Sequence, residues 1–204
     1  MILEIMKCVI DTCFAWMFLR GCKKSVLVYC SARDLEHNLR QEAVEFGYLL
    51  QESNLKLFTG GGSGLMNEVH KGHQMPIKKN KAKSFGATIH IKGETPSKYA
   101  TRKYQFMSFH TRKWYELEHS AVVVVLDGGV GTMEELFEAI TLIQTERIKP
   151  IPIILNKRMH DALMPWIEQA LELGTISYDT LNNIYGCKDV IGMAKLCKKF
   201  VGEA

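Results

Sequence analysis

A glycine-rich turn that leads into two glutamates is the part of the chain best suited to chemistry. The apolar, β-branched residues 122–126 run into Gly128, Gly129 and Gly131, and a helix-forming stretch with Glu135 follows. This pattern predicts a buried strand, a tight turn and a helix N-terminus. Backbone N–H groups in such a turn are unobstructed by side chains, and the helix dipole favours negative charge there. The sequence therefore predicts a phosphate-binding turn.

Glu135 has two interpretations at this point. In the first, Thr132 to Glu135 form a capping box, in which the hydroxyl and the carboxylate satisfy free N–H groups of the first helical turn. In the second, the carboxylate faces a sugar and stabilises positive charge that develops on it. The four residues alone do not decide between them.

Composition favours a single globular domain over residues 1–204. The chain is 47% hydrophobic and 24% charged, with a net charge of +4. Its one lysine cluster is interpreted as a solvated loop, because a nucleic-acid surface has a broader basic stripe with interleaved aromatic residues. We therefore expect no nucleic-acid partner. The cluster consists of Lys78, Lys79, Lys81 and Lys83.

The six cysteines indicate a reduced, cytoplasmic protein without a metal centre. No C-x-x-C pair occurs, and the cysteines and histidines do not have zinc-ligand spacing. Residues 2–19 are apolar, but Glu4, Lys7 and Asp11 interrupt them, and no basic leader or cleavage site accompanies them. We expect an amphipathic helix over about residues 2–20, packed on the sheet or on a second subunit, and no membrane contact.

Strand and helix patterns alternate along the rest of the chain. This alternation predicts an α/β fold: a Rossmann-like, doubly wound parallel sheet with helices on both faces. Further helices are expected after Arg158 and over residues 190–200. Strands are expected at residues 25–30, 56–59, 87–91, 121–126 and 151–155.

Ligands of such a sheet bind beyond the carboxyl ends of its strands. Ser31 follows the first strand, and Gly61, Gly62 and Ser63 follow the second, so with the turn after residue 126 three polar or glycine-rich turns gather at one edge. Neither glycine run ends in the Lys-Ser or Lys-Thr of a P-loop, and neither has the spacing G-x-G-x-x-G. The sequence predicts a nucleotide-sized pocket of another kind.

Four segments between Val26 and about Asn156 resemble the LOG (lonely guy) phosphoribohydrolases, a family often mislabelled as lysine decarboxylases. The segment TGGG is similar to the family's bacterial branch, which includes broad nucleotide 5′-monophosphate nucleosidases. The last of the four, similar to the family's P-G-G-x-G-T-x-x-E, is the most specific. The segments are CSAR (30–33), TGGGSGLMNEVHKG (59–72), FHTRK (109–113) and DGGVGTMEELFEAITLIQT (127–145).

The resemblance implies hydrolysis of the N-glycosidic bond of a nucleoside 5′-monophosphate, AMP or an N6-modified AMP, without a cofactor. Arg112 and Glu135 match the family's catalytic arginine and glutamate. Oxocarbenium character at the sugar suits a nearby carboxylate, and a planar guanidinium suits a phosphate or a carboxylate. Without the family match, a surface salt bridge, for example to Glu116 at i+4, is the commoner explanation of Arg112.

The remaining site residues are expected to bind the substrate. The glycine turn holds the phosphate through backbone N–H groups and a hydroxyl, and the second-strand loop forms the opposite wall. Ser31 and Lys113 also have a simpler interpretation, in which they cap or solvate their own elements. The predicted set is Ser31, Gly61, Gly62, Ser63, Lys113, Gly129, Val130, Gly131 and Thr132.

The chain departs from the family pattern at several positions. Asp127 replaces the proline of the glycine turn and adds a negative charge beside the expected phosphate, which the lysines of residues 73–83 offset in one interpretation. Cys30 replaces a glycine of the first loop, and Asn67 stands where the TGGG branch has glutamate. These differences predict an altered choice of substrate.

Two other functions remain open from the sequence. The same fold serves non-catalytic nucleotide or molybdenum-cofactor carriers. A pyridoxal-phosphate decarboxylase would need a Schiff-base lysine with a partner for the pyridinium nitrogen, and no lysine is marked for that role. The resemblance also implies a homodimer or larger homo-oligomer, with residues 136–143 either at the subunit contact or packed on the sheet.

Overall fold

Seven strands form one sheet in the computed structural model, which describes residues 2–75 and 81–204. Lys78 and Lys79 of the predicted lysine loop lie outside the described residues. The strands are β1 (Ser25–Tyr29), β2 (Leu57–Thr59), β3 (Ser84–Ile89), β4 (Arg102–Phe106), β5 (Ser120–Val125), β6 (Ile153–Asn156) and β7 (Ile184–Cys187). The helices are α1 (Ile2–Phe18), α2 (His37–Glu52), α3 (Leu65–His73), α4 (Phe109–Glu118), α5 (Val130–Gln144), α6 (Lys157–Glu172) and α7 (Val190–Glu203).

The strand order is β4-β3-β2-β1-β5-β6-β7, and every described pair is parallel. The chain therefore builds the sheet outward from β1 in one direction and then returns to add β5 on its other side. Ligands of doubly wound sheets bind at such a reversal, outside the carboxyl ends of the two central strands. The predicted fold class is confirmed, and the reversal lies between β1 and β5.

Alternating side chains of the central strands bury both faces of the sheet. In β5, Val123 and Val125 pack with α4, α5 and α6, whereas Val122 and Val124 pack with α2, α3 and α7. Because both faces are covered, the strand is a continuous apolar run rather than an alternation of apolar and polar residues.

Two strands, β4 and β7, were not predicted from the sequence, and each lies at an edge of the sheet. In β4, Lys103 and Gln105 are exposed between partly covered neighbours, and β7 contains Gly186 and a half-buried Tyr185. An edge strand covered on one side carries polar residues and lacks the apolar run that indicates a central strand. The predicted third strand also begins earlier than expected, at Ser84.

Helix α1 is anchored by a buried carboxylate. Asp11 accepts hydrogen bonds from the backbone N–H groups of Met107 and Ser108, at 3.0 and 2.9 Å, and from the Tyr104 hydroxyl at 3.1 Å. These bonds fix α1 against the start of α4, where free N–H groups favour an anion. Within residues 2–75 and 81–204, no helix is long and apolar enough to cross a bilayer.

Candidate functional site

The three predicted turns meet at the reversal of strand order. The Ser31 N–H donates to the Asp127 carbonyl at 3.0 Å, which joins the loops after β1 and β5. The Leu65 N–H donates to the Ser31 carbonyl at 2.9 Å, and the Ser63 hydroxyl donates to the Ala32 carbonyl at 2.8 Å. The second-strand loop is thus tied to the first. The predicted gathering of turns at one sheet edge is what the structure shows.

A buried ion pair joins α4 to α5 beside these turns. The Arg112 Nη2 donates to the Glu135 Oε1 at 2.5 Å, and the two side chains are only 10% and 15% exposed. The surface salt-bridge interpretation of Arg112 is therefore wrong. The capping-box interpretation of Glu135 is also wrong, because α5 begins at Val130 with Gly129 as its N-cap and without a side-chain cap.

A second carboxyl group lies buried near this pair. Glu116 has no exposed surface, and neither of its carboxyl oxygens has a hydrogen-bond partner among the residues that the structure describes. Burial raises the pKa of Glu116 to about 8, with the Arg112 charge opposing the rise. Burial likewise raises the pKa of Glu135 to about 7, again opposed by Arg112. One guanidinium therefore faces two carboxyl groups, and at least one of them holds a proton near neutral pH.

The guanidinium of Arg112 lies over the first glycine of the β2 loop. A Cβ at Gly60 would stand 3.2 Å from the Arg112 Nη1, so a side chain there would press on the ion pair. On another side, the Phe109 ring lies 5.6 Å from the guanidinium carbon. A narrow cleft opens beside the arginine, and its lining consists of Gly60, Gly62, Met66, Thr88, Ile89, Glu94, Pro96 and Arg112.

The N-terminus of α5 faces open space. A Cβ at Gly129 or Gly131 would meet no heavy atom within 4 Å, and Val130 is 88% exposed. The first N–H groups of a helix have no partner within it, and the N-cap residue Gly129 has no side chain to accept from them. The structure thus places an uncapped, unobstructed helix start beside the Arg112 and Glu135 pair, as anion binding requires.

Other members of the predicted set already have partners within the fold. The Gly61 N–H donates to the Thr59 hydroxyl at 2.8 Å, and the Ser31 hydroxyl accepts from the Arg33 N–H at 3.0 Å. Lys113 forms ion pairs with Glu134 at 2.5 Å and Glu138 at 2.7 Å. The Ser31 bond lies within its own loop, as in the simpler interpretation of Ser31, whereas Lys113 of α4 pairs with two glutamates of a different helix, α5.

A buried histidine contacts the glycine loop through the Thr59 hydroxyl. The Thr59 hydroxyl, which accepts from Gly61, also lies 2.9 Å from the His70 Nε2. Burial lowers the pKa of His70 to about 3, so the ring is neutral and bonds without a charge. In the described part of the chain, no three His, Cys, Asp or Glu side chains group so that they could hold a metal ion.

The charge of Asp127 is compensated from a helix that the sequence analysis did not connect to the site. Arg158 of α6 donates to both carboxylate oxygens of Asp127, at 2.7 and 2.8 Å, and the Asn156 amide donates to one of them at 2.7 Å. Arg158 also pairs with Glu42 of α2 at 2.5 Å. The structure therefore gives Asp127 a compensating cation other than the lysines of residues 73–83.

Three side chains of the site were missed from the sequence. Glu116 is four residues from Arg112 and was considered only as its surface partner, and Glu94 and Arg158 belong to no recognised motif. Glu94 lines the cleft beside Arg112. A tertiary contact between distant segments leaves no fixed spacing between residues in the sequence. The roles of Glu94 and Arg158 therefore could not be predicted from a pattern in one sequence.

Fold and site together define a doubly wound α/β protein whose candidate site lies at the topological switch point. A family model described as "Possible lysine decarboxylase" matches residues 66–197. A cytokinin riboside 5′-monophosphate phosphoribohydrolase of Arabidopsis thaliana is 30% identical over 76% of this chain and 72% of its own length. One from Rhodococcoides fascians is 29% identical over 85% of this chain and 88% of its own. The chain belongs to this family, the LOG family.

Solved structures show the same fold at lower identity. The molybdenum cofactor binding protein of Rippkaea orientalis superposes with a TM-score of 0.61 and 18% identity, over 88% of this chain and 98% of that one. The Moco carrier protein of Chlamydomonas reinhardtii gives 0.62 and 19%, over 89% and 99%. At these identities the likeness concerns the fold alone.

Proposed function

We propose that this protein hydrolyses the N-glycosidic bond of a nucleoside 5′-monophosphate and releases the free base and ribose 5-phosphate. The observation that carries the proposal is the buried pair of Arg112 and Glu135, held between an uncapped helix N-terminus and a narrow cleft. The names of the relatives in Arabidopsis thaliana and Rhodococcoides fascians support the same reaction.

The phosphate binds at the start of α5. Its oxygens accept hydrogen bonds from the first N–H groups of the helix, at Val130, Gly131 and Thr132, where the helix dipole adds a partial positive charge. The pairing of Asp127 with Arg158 reduces the repulsion that an unpaired carboxylate would exert there. Gly129 and Gly131 leave room for the phosphate, because no protein atom stands where their side chains would be.

Glu135 carries the chemistry. As the bond between the anomeric carbon and the base nitrogen breaks, its electron pair leaves with the base, and the sugar acquires oxocarbenium character that the carboxylate stabilises. Glu135 takes a proton from a water molecule whose oxygen bonds to the anomeric carbon. The departing base nitrogen takes up one proton from solvent water, and Glu135 releases the proton that it took, so that its carboxylate is regenerated. A pKa of about 7 suits a general base at neutral pH.

Arg112 orients this carboxylate and is available to ligand oxygens. Its Nη2 holds Glu135, and the side chain also lines the cleft with Gly60 and Gly62. The cleft beside it receives the base: Met66, Ile89 and Pro96 supply apolar walls, and the Glu94 carboxylate is an acceptor for an exocyclic amino group. This lining favours a base with an exocyclic amino group. Because the relatives are named for cytokinin riboside 5′-monophosphates, we propose AMP or N6-modified AMP of the cytokinin type as substrate.

Release of base from a panel of nucleotides tests the proposal. AMP, N6-isopentenyl-AMP, GMP, CMP and UMP are incubated with the protein, and free base and ribose 5-phosphate are quantified, with adenosine as a matched substrate that lacks the phosphate. We expect release from the adenine monophosphates and at least tenfold less from adenosine, since the phosphate anchors the substrate.

A non-catalytic carrier of a nucleotide or of molybdenum cofactor is the second candidate. The fold likeness to the molybdenum cofactor binding and carrier proteins favours it. If calorimetry shows that the protein binds these nucleotides but no base is released from any of them, the carrier function is supported and the hydrolase function is contradicted.

A further inference from the structure

The loop that joins β3 to β4, residues 90–101, forms one wall of the cleft beside Arg112. Glu94 and Pro96 of this loop line the cleft together with Gly62 of the β2 loop. The Glu94 Oε2 lies 3.3 Å from the point that a Cβ at Gly62 would occupy, so the cleft is narrow here. The space left for a base therefore depends on where the β3–β4 loop is held.

The β2 loop is the fixed wall of the cleft. Gly61 has a φ of +67°, and a Cβ at this position would stand 2.7 Å from the Cα of Gly86 in β3. The two backbones therefore lie against each other, and the left-handed φ favours glycine. Because this wall has little freedom to move, the position of the β3–β4 loop sets the width of the cleft.

Ser97 ties the β3–β4 loop to this fixed wall. It is 1% exposed, and its N–H donates to the Gly61 carbonyl at 2.7 Å. Its carbonyl accepts from the Lys103 ammonium at 2.9 Å, and its hydroxyl accepts from the Tyr99 N–H at 3.3 Å. Ser97 directly follows the cleft residue Pro96, so a shift of Ser97 also moves the cleft wall.

The side chain of Asn67 completes the attachment of the loop. Its Oδ1 accepts a hydrogen bond from the Ser97 hydroxyl at 3.0 Å. Asn67 lies in the first turn of α3, next to Met66, whose side chain lines the same cleft. The glutamate that the TGGG branch has at position 67 is longer by one methylene group, so it would hold the hydroxyl, and with it the loop, farther from α3.

We propose that Asn67 is a positioning residue for base selection, which acts through Ser97 to hold the β3–β4 loop close to the β2 loop. This inference rests on the proposed function, in which the Glu94 carboxylate accepts from the exocyclic amino group of the base. A substituent on that amino group lies beside Glu94, where the narrow cleft leaves little room. The site therefore prefers AMP to N6-isopentenyl-AMP, and loss of the Asn67 bond lowers this preference.

Kinetics of base release from AMP and N6-isopentenyl-AMP by wild type and Asn67→Ala test the inference. A neutral hydrogen bond changes an equilibrium by a factor of about 2 to 10. The ratio of kcat/KM for AMP to that for N6-isopentenyl-AMP should therefore fall about threefold to tenfold in the variant. The change should lie in KM, with kcat for AMP within about twofold of wild type, because the Asn67 bond does not involve Arg112 or Glu135.

Three further variants separate positioning from loss of structure. Asn67→Asp keeps an acceptor oxygen for the Ser97 hydroxyl and should retain the wild-type preference. Ser97→Ala should lower the preference, and Asn67→Ala should add nothing further in that background, because the bond is already absent. The matched control is Asn182→Ala, which loses a side-chain hydrogen bond to Asp179 ahead of β7, at the amino ends of the strands. Circular dichroism and thermal unfolding show that each variant folds.

Calorimetric titration of both nucleotides into Glu135→Gln, with and without Asn67→Ala, measures the same preference without turnover. If wild type releases no base but Asn67→Ala lowers the binding preference, the hydrolase proposal fails and the inference stands. Three results overturn the inference: no preference for AMP in wild type, a folded Asn67→Ala that keeps the preference, or an Asn67→Asp that loses it as fully as Asn67→Ala. Binding of neither nucleotide overturns the inference and the hydrolase proposal together.

Discussion

Arg158 donates hydrogen bonds to both carboxylate oxygens of Asp127, at 2.7 and 2.8 Å, and so offsets the negative charge at the start of the glycine turn. Asp127 stands at the end of β5 and Arg158 in the first turn of α6, so the pair links two adjacent strand ends. Asp127, which stands where the family has a proline, is therefore held in an ion pair.

Arg158→Ala should weaken nucleotide binding by exposing the charge of Asp127 to the phosphate. An unpaired charge close to a surface site is worth about 1 kcal/mol, so KM should rise about threefold to tenfold with kcat little changed. Asp127→Asn added to Arg158→Ala should restore KM. The account is contradicted if kcat falls instead, or if the double variant binds no better than Arg158→Ala.

Two glycines of the turn should respond in opposite ways to alanine. A Cβ at Gly128 would stand 2.1 Å from the Thr132 Oγ1, so Gly128→Ala should lower the thermal unfolding temperature. Gly131 lies in α5 with open space around it, so Gly131→Ala should stabilise the fold by up to about 1 kcal/mol. Because the new methyl group borders the phosphate, Gly131→Ala should still raise KM. If the Gly131→Ala variant is stable and its KM is unchanged, the proposal that the phosphate binds at this turn is contradicted.

The stability of the protein should fall as the pH rises through about 8. The pKa of Glu116 in the fold, about 8, lies above its ordinary value of 4.5. Its contribution is therefore fully present below pH 4.5 and is lost as the pH passes through 8. The contribution of Glu135 to stability is also lost as the pH rises, because its pKa in the fold is raised to about 7.

Glu116→Gln isolates the first group, since the amide cannot ionise. Denaturant unfolding between pH 6 and 9 should show a decline in the free energy of unfolding of wild type, and the variant should reduce that decline by up to about 1.4 kcal/mol for each pH unit below 8. Equal slopes in both proteins would show that Glu116 does not hold the proton.

The rate of base release should depend on the ionisation of Glu135. Since the carboxylate must be deprotonated to accept a proton from water, kcat should fall about tenfold for each pH unit below 7 and level off above it. A profile that is flat from pH 5 to 8 would contradict the assignment of Glu135 as the base.

The sequence predicted the centre of the molecule better than its edges. Residues 122–126 are buried on both faces and therefore have a pattern that only a central strand requires, whereas β4 and β7 lie at edges and resemble loops. The meeting of the three turns followed from the parallel order of their strands, because parallel strands end at one edge.

The site was predictable only where a motif or a family position marked it. Arg112 and Glu135 are far apart in the sequence, and the family resemblance brought them together before the structure showed their contact. Glu116 was considered as an exposed i+4 partner, because helix spacing does not tell which side of α4 is buried. The cleft residue Glu94 and the partner of Asp127 depend on tertiary contacts that have no local pattern.

The most direct test compares base release by Glu135→Gln and Glu134→Gln. These neighbouring glutamates differ in place: Glu135 is 15% exposed and pairs with Arg112, whereas Glu134 is 55% exposed and pairs with Lys113. Both amides keep the size of the side chain, and circular dichroism confirms folding. We predict that Glu135→Gln lowers kcat for AMP at least a hundredfold, as expected for a catalytic carboxylate, while Glu134→Gln stays within about threefold of wild type. Equal activity in the two folded variants would contradict the central role of Glu135.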